Sequence, residues 1–196
     1  MGRRPKSDRQ FEELRAKIIL CALSLFQEEG YAAISMRRLA KEVGCAPMTI
    51  YAHFDGKIDI LQHLWADILG ELFDHIRHKL TPDLDDEERL SLASKIFVQF
   101  WIDHPDHFRL VFMSAEITRA DVGSFLNKSN TLTHFHFYTE LVEPVCVNKA
   151  RVKLVTDTLL NMLIGIAFCA NTIKDYPWST AENMVDVVLE SALNKN

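Results

Sequence analysis

The chain has little glycine and proline and no long apolar run, and each shortage excludes a class of protein. Only 7 of its 196 residues are Gly and 6 are Pro, too few for the many tight turns of an all-β domain. Nowhere do apolar residues approach the roughly 18 in succession that span a membrane. No apolar run follows the basic start of the chain, as a signal peptide requires. We therefore predict a helical protein of the cytoplasm without a membrane span.

Patterns typical of metal sites, disulfide frameworks and catalytic centres are also missing. The four cysteines are isolated and form no CxxC pair: Cys21, Cys45, Cys146 and Cys169. His104 and His107, like His134 and His136, lack the i, i+4 spacing of a helical metal pair. There is no glycine-rich phosphate loop, Ser/His/Asp spacing or paired-carboxylate signature. We predict reduced thiols, no metal, no cofactor and no enzyme activity.

Charge is unevenly distributed along the chain. The formal net charge is −5, yet residues 1–60 hold 10 Lys and Arg against 8 Asp and Glu. The remaining residues hold 12 Lys and Arg against 19 Asp and Glu. A mildly basic start on an acidic body is a weak indication of polyanion binding at the N-terminal end.

Apolar periodicity predicts about nine helices and no strand, which is an all-α fold. Ser7 fits an N-cap for the first helix, and Gly30 supplies a left-handed residue to close it. The seventh helix is expected within residues 125–143, before Pro144 and after an irregular connection at 114–124. The eighth is expected from Lys149 to Ile173.

Residues 35–54 have the layout of a helix-turn-helix motif. Ser35 is an N-cap candidate for a two-turn helix, and Gly44 closes that helix with a positive φ. Pro47 then favours the first position of a third short helix, expected to run from Met48 to Phe54. In a helix-turn-helix the second of these helices enters the major groove of DNA.

Several side chains of this motif are candidates for DNA contact. Five are expected to point outward from the third helix: Pro47, Met48, Thr49, Tyr51 and His53. Lys57 is expected to have its ammonium free for a phosphate. Arg37 and Arg38 both lie in the first turn of the second helix, where a cation is unfavourable unless an anion is near. Arg37 is the better phosphate candidate of the two.

The motif resembles the TetR family of bacterial transcriptional regulators over about residues 10–65. The resemblance rests on Gly30-Tyr31, Ser35-x-x-x-Leu39-Ala40, Val43-Gly44 and Thr49-Ile50-Tyr51-x-His53-Phe54-x-x-Lys57-x-x-x-Leu61. It implies a homodimer that joins through its last two helices. It further implies a DNA-binding domain at 12–72 and an effector-binding and dimerisation domain at 73–196. The basic tail at 1–11 is consistent either with DNA contact or with a disordered, solubilising segment.

Two positions depart from the family pattern. Ala46 stands where the family usually has a Ser or Thr that caps the recognition helix and contacts phosphate. Met48 stands where a small residue is usual. Both remain in the predicted DNA-binding set, together with Ser35 at the start of the motif.

The C-terminal region is rich in aromatic residues that would line an apolar effector cavity between helices. The candidate contacts combine rings with polar fixing points: Phe97, Phe100, Trp101, Phe108, Phe112, His134, Phe135, Tyr138 and Asn161. An ordinary aromatic core would give the same pattern.

Two functional hypotheses remain at this point. The first is a dimeric repressor that a small amphipathic ligand releases from an inverted-repeat operator. The second is a helical ligand- or partner-binding protein whose N-terminal domain no longer binds DNA, motivated by the net charge, Ala46 and Met48.

Overall fold

The computed structural model describes residues 6–113 and 131–193, with side chains from 8–113 and 136–193. That part of the chain forms nine α-helices and no strand, which confirms the all-α prediction. The helices are α1 Lys6–Glu29, α2 Met36–Val43, α3 Pro47–Tyr51, α4 Lys57–Lys79, α5 Asp86–Asp103, α6 Pro105–Phe112, α7 Thr131–Val145, α8 Val152–Thr172 and α9 Ala181–Leu193. Short 3-10 helices occupy Tyr31–Ala33 and Lys149–Arg151.

The chain divides into two compact units. Of the described residues, the N-terminal unit contains 6–67 and 110–113, and the C-terminal unit contains 68–109 and 131–193. We predicted a boundary between 72 and 73, with 110–113 in the C-terminal domain. The observed boundary lies within the unbroken helix α4, where no sequence signal marks it. Residues 110–113 join the N-terminal unit, in which Trp65 donates its indole N–H to the Leu110 carbonyl at 2.9 Å.

Local capping signals define the helix-turn-helix motif of the N-terminal unit. The Ser35 hydroxyl accepts the Arg38 N–H at 3.2 Å, as an N-cap does. Gly44 has φ 81° and ψ 39°, the left-handed conformation that ends α2. Gly30 also has a positive φ of 82°, but its ψ of −178° is extended rather than left-handed helical.

Some helix boundaries differ from the sequence prediction. Helix α1 begins at Lys6, so Ser7 lies inside the first turn instead of capping it, and residues 6–11 are helical rather than part of a tail. Helix α3 ends at Tyr51, three residues before the expected end. Helix α7 continues past Pro144 to Val145, which a proline in a last turn permits because only one backbone hydrogen bond is lost. The predicted connection at 114–124 lies outside the described residues.

Helix α5 is the central element of the C-terminal unit. A capping box formed by Asp85 and Glu88 starts it. It packs against α7, α8 and α9, and its buried face includes Leu90, Phe97 and Trp101.

Helix α8 is the most apolar of the helices in composition. By length and composition alone, the stretch Lys149–Thr172 could cross a membrane, whereas the sequence analysis predicted no span. In the structure this helix packs against α5, α7 and α9, and Leu159, Leu163 and Ala167 are fully buried. Those contacts are typical of a core helix that also has an exposed apolar face.

Candidate nucleic-acid interface

Helix α3 exposes most of the side chains that the sequence analysis selected. Met48 is 76% exposed and Tyr51 is 51% exposed, while Ile50 between them is completely buried. Pro47 is also exposed and Thr49 is half-buried. The buried isoleucine therefore anchors a five-residue helix whose opposite face is open to a ligand.

His53 does not point outward, contrary to the prediction. It is only 8% exposed, and its ring stacks on Phe11 of α1 with centroids 3.9 Å apart. The prediction was wrong because α3 ends at Tyr51, so the helical periodicity that placed His53 outside no longer applies. Burial and the charge of Arg15 lower the pKa of His53, although Glu12 opposes that shift.

Two basic residues of α1 hold the motif in place, and the sequence analysis missed both. Arg15 donates to the His53 carbonyl at 2.8 Å and lies over the Phe54 ring at 4.6 Å. Lys17 donates to the Val43 carbonyl at the end of α2 at 2.9 Å. Both residues lie within three positions of the buried Ile18, and a basic residue close to an apolar stripe is the signal that would have identified them.

The two arginines of α2 have different surroundings. Arg38 pairs with Glu42 at 2.8 Å and with Glu29 at 2.9 Å, and these carboxylates raise its pKa. Arg37 is exposed and forms no ion pair with a described residue. The structure therefore leaves Arg37, but not Arg38, available for a phosphate.

Lys57 is not free, although it was expected to be. Its ammonium lies 3.5 Å from the centroid of the Tyr31 ring, a cation–π contact at the start of α4. The contact uses one side of the ammonium and holds it close to the motif, so Lys57 stays a candidate for phosphate contact.

The residues that precede α2 and α3 differ in whether their side chains cap the helix. Ser35 is exposed and already uses its hydroxyl to cap α2. Ala46 precedes α3 without a side-chain hydrogen bond, and Pro47 occupies the first helical position. A missing cap costs about 1 kcal/mol, which the pre-set φ of proline partly offsets.

Four of the effector candidates form a buried aromatic cluster in the C-terminal unit. Trp101, Phe108 and Tyr138 are completely buried, and Phe97 nearly so. Their rings meet edge to face with centroids 5.8 to 6.1 Å apart. Tyr138 donates its hydroxyl to the Ala93 carbonyl at 3.1 Å, and burial raises its pKa.

The other effector candidates do not all join this aromatic cluster. Phe100 contacts Trp101 at 5.1 Å between centroids and is mostly buried. Asn161 is exposed on α8 and donates to the Asp157 carbonyl of its own helix, so it was wrongly placed in a cavity. Phe112 belongs to the N-terminal unit. The side chains of His134 and Phe135 lie outside the described residues.

Residues that could hold a metal ion are not grouped in the part of the chain that the structure describes. No three His, Cys, Asp or Glu side chains converge there. The rings of His104 and His107 stack with centroids 5.2 Å apart. Burial lowers the pKa of His107, and the charge of His104 adds to that shift. The four cysteines are free thiols.

Comparison with known proteins identifies the type of DNA-binding domain. The family model of bacterial regulatory proteins, tetR family, matches residues 18–64, which contain the whole motif. Residues 18–64 are thus a DNA-binding domain of the TetR type. The chain is accordingly a DNA-binding transcriptional regulator, which favours the first of the two hypotheses.

Individual relatives extend the similarity beyond the motif. An HTH-type transcriptional regulator of Staphylococcus aureus is 28% identical over 152 residues, covering 78% of each chain. The HTH-type transcriptional activator FasR of Mycolicibacterium smegmatis is 26% identical over 114 residues. The chain spans only about half of FasR, with 52% of that protein covered.

Solved structures of other regulators share the fold over more than nine-tenths of the chain. The fatty acid degradation regulator FadR from Bacillus halodurans has a TM-score of 0.72 at 19% identity, covering 92% of this chain and 94% of its own. A TetR-family regulator from Syntrophomonas wolfei has the same TM-score at 22% identity, covering 92% and 93%.

Arg37 and Arg38 provide a matched pair for testing phosphate contact. We expect Arg37→Gln to reduce the salt dependence of DNA binding. The slope of the logarithm of the association constant against the logarithm of salt concentration is negative, and its magnitude should decrease by about one. Arg38→Gln should lower the melting temperature through loss of its two ion pairs and leave the slope unchanged. Fluorescence anisotropy at several salt concentrations measures the slope. Equal slopes for Arg37→Gln and the wild type would contradict the assignment.

We expect His53 to make the stability of the N-terminal unit depend on pH. Because its pKa is below the ordinary 6.5 in the folded state, the unfolded chain takes up the proton first. Stability is therefore complete above about pH 6.5 and falls as the pH drops below it. His53→Phe keeps a ring over Phe11 and removes the titration, so its melting temperature should fall less than the wild type's between about pH 7.5 and 5.5.

The exposed His78 provides the control for this comparison. His78→Gln should retain the pH dependence of the wild type in the same thermal unfolding series. A pH dependence in His53→Phe as steep as that of the wild type would show that other groups cause it.

Proposed function

We propose that this regulator is a dimeric repressor, released from an inverted-repeat operator by a small amphipathic ligand. The exposed face of α3, with Met48 and Tyr51 held outward by the buried Ile50, is the observation that carries the DNA-binding part. A dimer that occupies duplex DNA through two such helices blocks other proteins from that DNA without needing an activating surface. The regulator works in the cytoplasm and performs no catalysis.

The dimer would form through α8 and α9. Helix α8 exposes Leu154, Met162 and Phe168 along one side, and α9 exposes Val187. Gly165, also exposed, allows a second helix to approach closely. This set, which we call the α8–α9 face, supports a four-helix interface between two copies. Two other apolar residues of α9 are buried inside the protomer and lie outside this face: Val185 and Leu189.

A two-fold axis sets the geometry of the operator. Two recognition helices must lie about 34–36 Å apart to enter successive major grooves on one side of the DNA. A ligand that binds best to a dimer with a different spacing shifts the population away from the DNA-binding state.

The buried aromatic cluster supports a ligand site in the C-terminal unit. Trp101 and Phe97 of α5 contact Phe108 of α6 and Tyr138 of α7, respectively, and all four rings are buried. An apolar ligand entering there must separate these rings, and the helices that carry them would move with them. The relative from Bacillus halodurans is named a fatty acid degradation regulator, which supports a ligand with a polar group on an apolar chain.

An activator is the second candidate, because the relative FasR is named a transcriptional activator. The two directions are distinguished by a reporter gene fused to DNA from upstream of this protein's gene in a heterologous bacterial host. We expect production of the protein to lower reporter output, and fatty acids of increasing chain length to restore it. A rise in output on production would establish activation instead.

The control for this experiment is the double variant Tyr51→Ala, Lys57→Ala. It should fold and dimerise but leave reporter output unchanged. The contrary result is equal reporter output with the wild-type protein and the control, together with no mobility shift of DNA by either. In that case the second hypothesis, a ligand- or partner-binding protein whose N-terminal domain no longer binds DNA, would replace the proposal.

The α8–α9 face makes its own prediction. Met162→Glu introduces a charge into the proposed seam and should convert the dimer to a monomer in analytical ultracentrifugation. Because each monomer reaches one half-site only, operator affinity should fall by at least about 100-fold. Val147→Glu, at an exposed position outside α8 and α9, should remain dimeric. A Met162→Glu protein that remains dimeric would show that the interface lies outside the α8–α9 face.

A further inference from the structure

The exposed face of α3 carries none of the side chains that usually recognise bases by paired hydrogen bonds. Arg and Lys recognise guanine in the major groove, and Asn and Gln recognise adenine. The segment 45–56, which contains α3 and both flanking turns, has none of these four residue types. The exposed side chains of α3 itself are apolar or carry a single hydroxyl, and the one exposed carboxylate of the segment, Asp55, lies beyond the end of the helix. Hydroxyls bind phosphates and several base edges alike, so they discriminate weakly.

Met48 is the outstanding side chain on this face. At 76%, it is the most exposed of the large apolar side chains that the structure describes. It occupies the second position of α3, and the N-terminal residues of a recognition helix are the ones that contact base edges. Its long thioether side chain is unbranched and polarizable, so it adapts to an irregular apolar surface.

The major groove offers one apolar group on its base edges, the 5-methyl group of thymine. We propose that Met48 recognises the operator by packing against a thymine 5-methyl group in each half-site. This inference rests on the proposed function, because it requires that α3 enter the major groove. The phosphate contacts of Arg37 and Lys57 then position the helix, and the apolar contact of Met48 selects the base pair.

Tyr51 is the nearest alternative for the same contact. It is also exposed, at 51%, but its hydroxyl gives it a polar edge that suits a phosphate or a base acceptor. The two residues lie three positions apart on a short helix, so they face different base pairs. A variant at each position therefore separates their roles.

Replacement of thymine by uracil tests the contact without changing any hydrogen bond of the base pair. An operator is first enriched from a random-sequence duplex library with wild-type protein. Each thymine of the half-site is then replaced by uracil, in both half-sites together, and binding is measured by fluorescence anisotropy. One position should show weaker wild-type binding, by about three- to fivefold for each methyl group removed.

Variants at positions 48 and 51 show which side chain distinguishes thymine from uracil. Met48→Ala should bind the thymine and uracil duplexes equally at that position. Met48→Gln, which keeps the length of the side chain, should also lose the preference for thymine over uracil. It serves as the second variant if Met48→Ala binds DNA too weakly to measure. Tyr51→Phe should keep the full thymine preference.

Two results would overturn the inference while leaving DNA binding intact. One is a half-site in which no uracil replacement weakens wild-type binding. The other is a thymine preference that persists in both Met48 variants. A library that yields no enriched duplex at all would overturn DNA binding itself, and is recognised before any uracil replacement is made.

Discussion

The orientation of the recognition helix depends on Arg15. Helix α3 has only five residues, far fewer than the 12 to 15 or so at which an isolated helix becomes even marginally stable. Tertiary contacts must therefore supply its geometry. Arg15 donates to the His53 carbonyl just beyond α3, lies over Phe54 and contacts the His63 ring of α4. One guanidinium thus joins α1, the end of the motif and α4, while the buried Ile50 fixes the inner face of α3.

This use of arginine changes how the charge of the N-terminal unit relates to DNA binding. Arg15 and Lys17 donate to backbone carbonyls, and Arg38 pairs with two glutamates. The basic residues that a composition count assigns to a polyanion are in large part structural. Arg37 is exposed and outside these pairs, so the predicted phosphate contact of α2 rests on this one residue. The net charge of −5 is therefore a poor guide to which cations of this unit are available to a phosphate.

Features that depend on neighbouring residues were predictable from the sequence, and features that depend on tertiary packing were not. The N-cap at Ser35 and the left-handed Gly44 were predicted because both are local backbone requirements. His53 was placed outside because a helical period was extended past the end of α3; its stacking on Phe11, 42 positions earlier, has no local signal. Asn161 was assigned to a cavity for its polarity, whereas its exposure depends on which face of α8 packs against α5.

The proposed mechanism must couple ligand binding to a change in dimer geometry, and helix α8 takes part in both. Its inner side packs against α5 through residues such as Leu163, and its outer side contributes to the α8–α9 face. Phe168 links the two sides of the helix. Its ring contacts Phe108 of the aromatic cluster at 6.3 Å between centroids, and it is also 43% exposed on the α8–α9 face. A ligand that displaces Phe108 therefore acts directly on a residue of the proposed interface. Because packed interfaces adopt discrete arrangements rather than deforming continuously, such a displacement would favour a second dimer geometry, with a different separation of the two recognition helices.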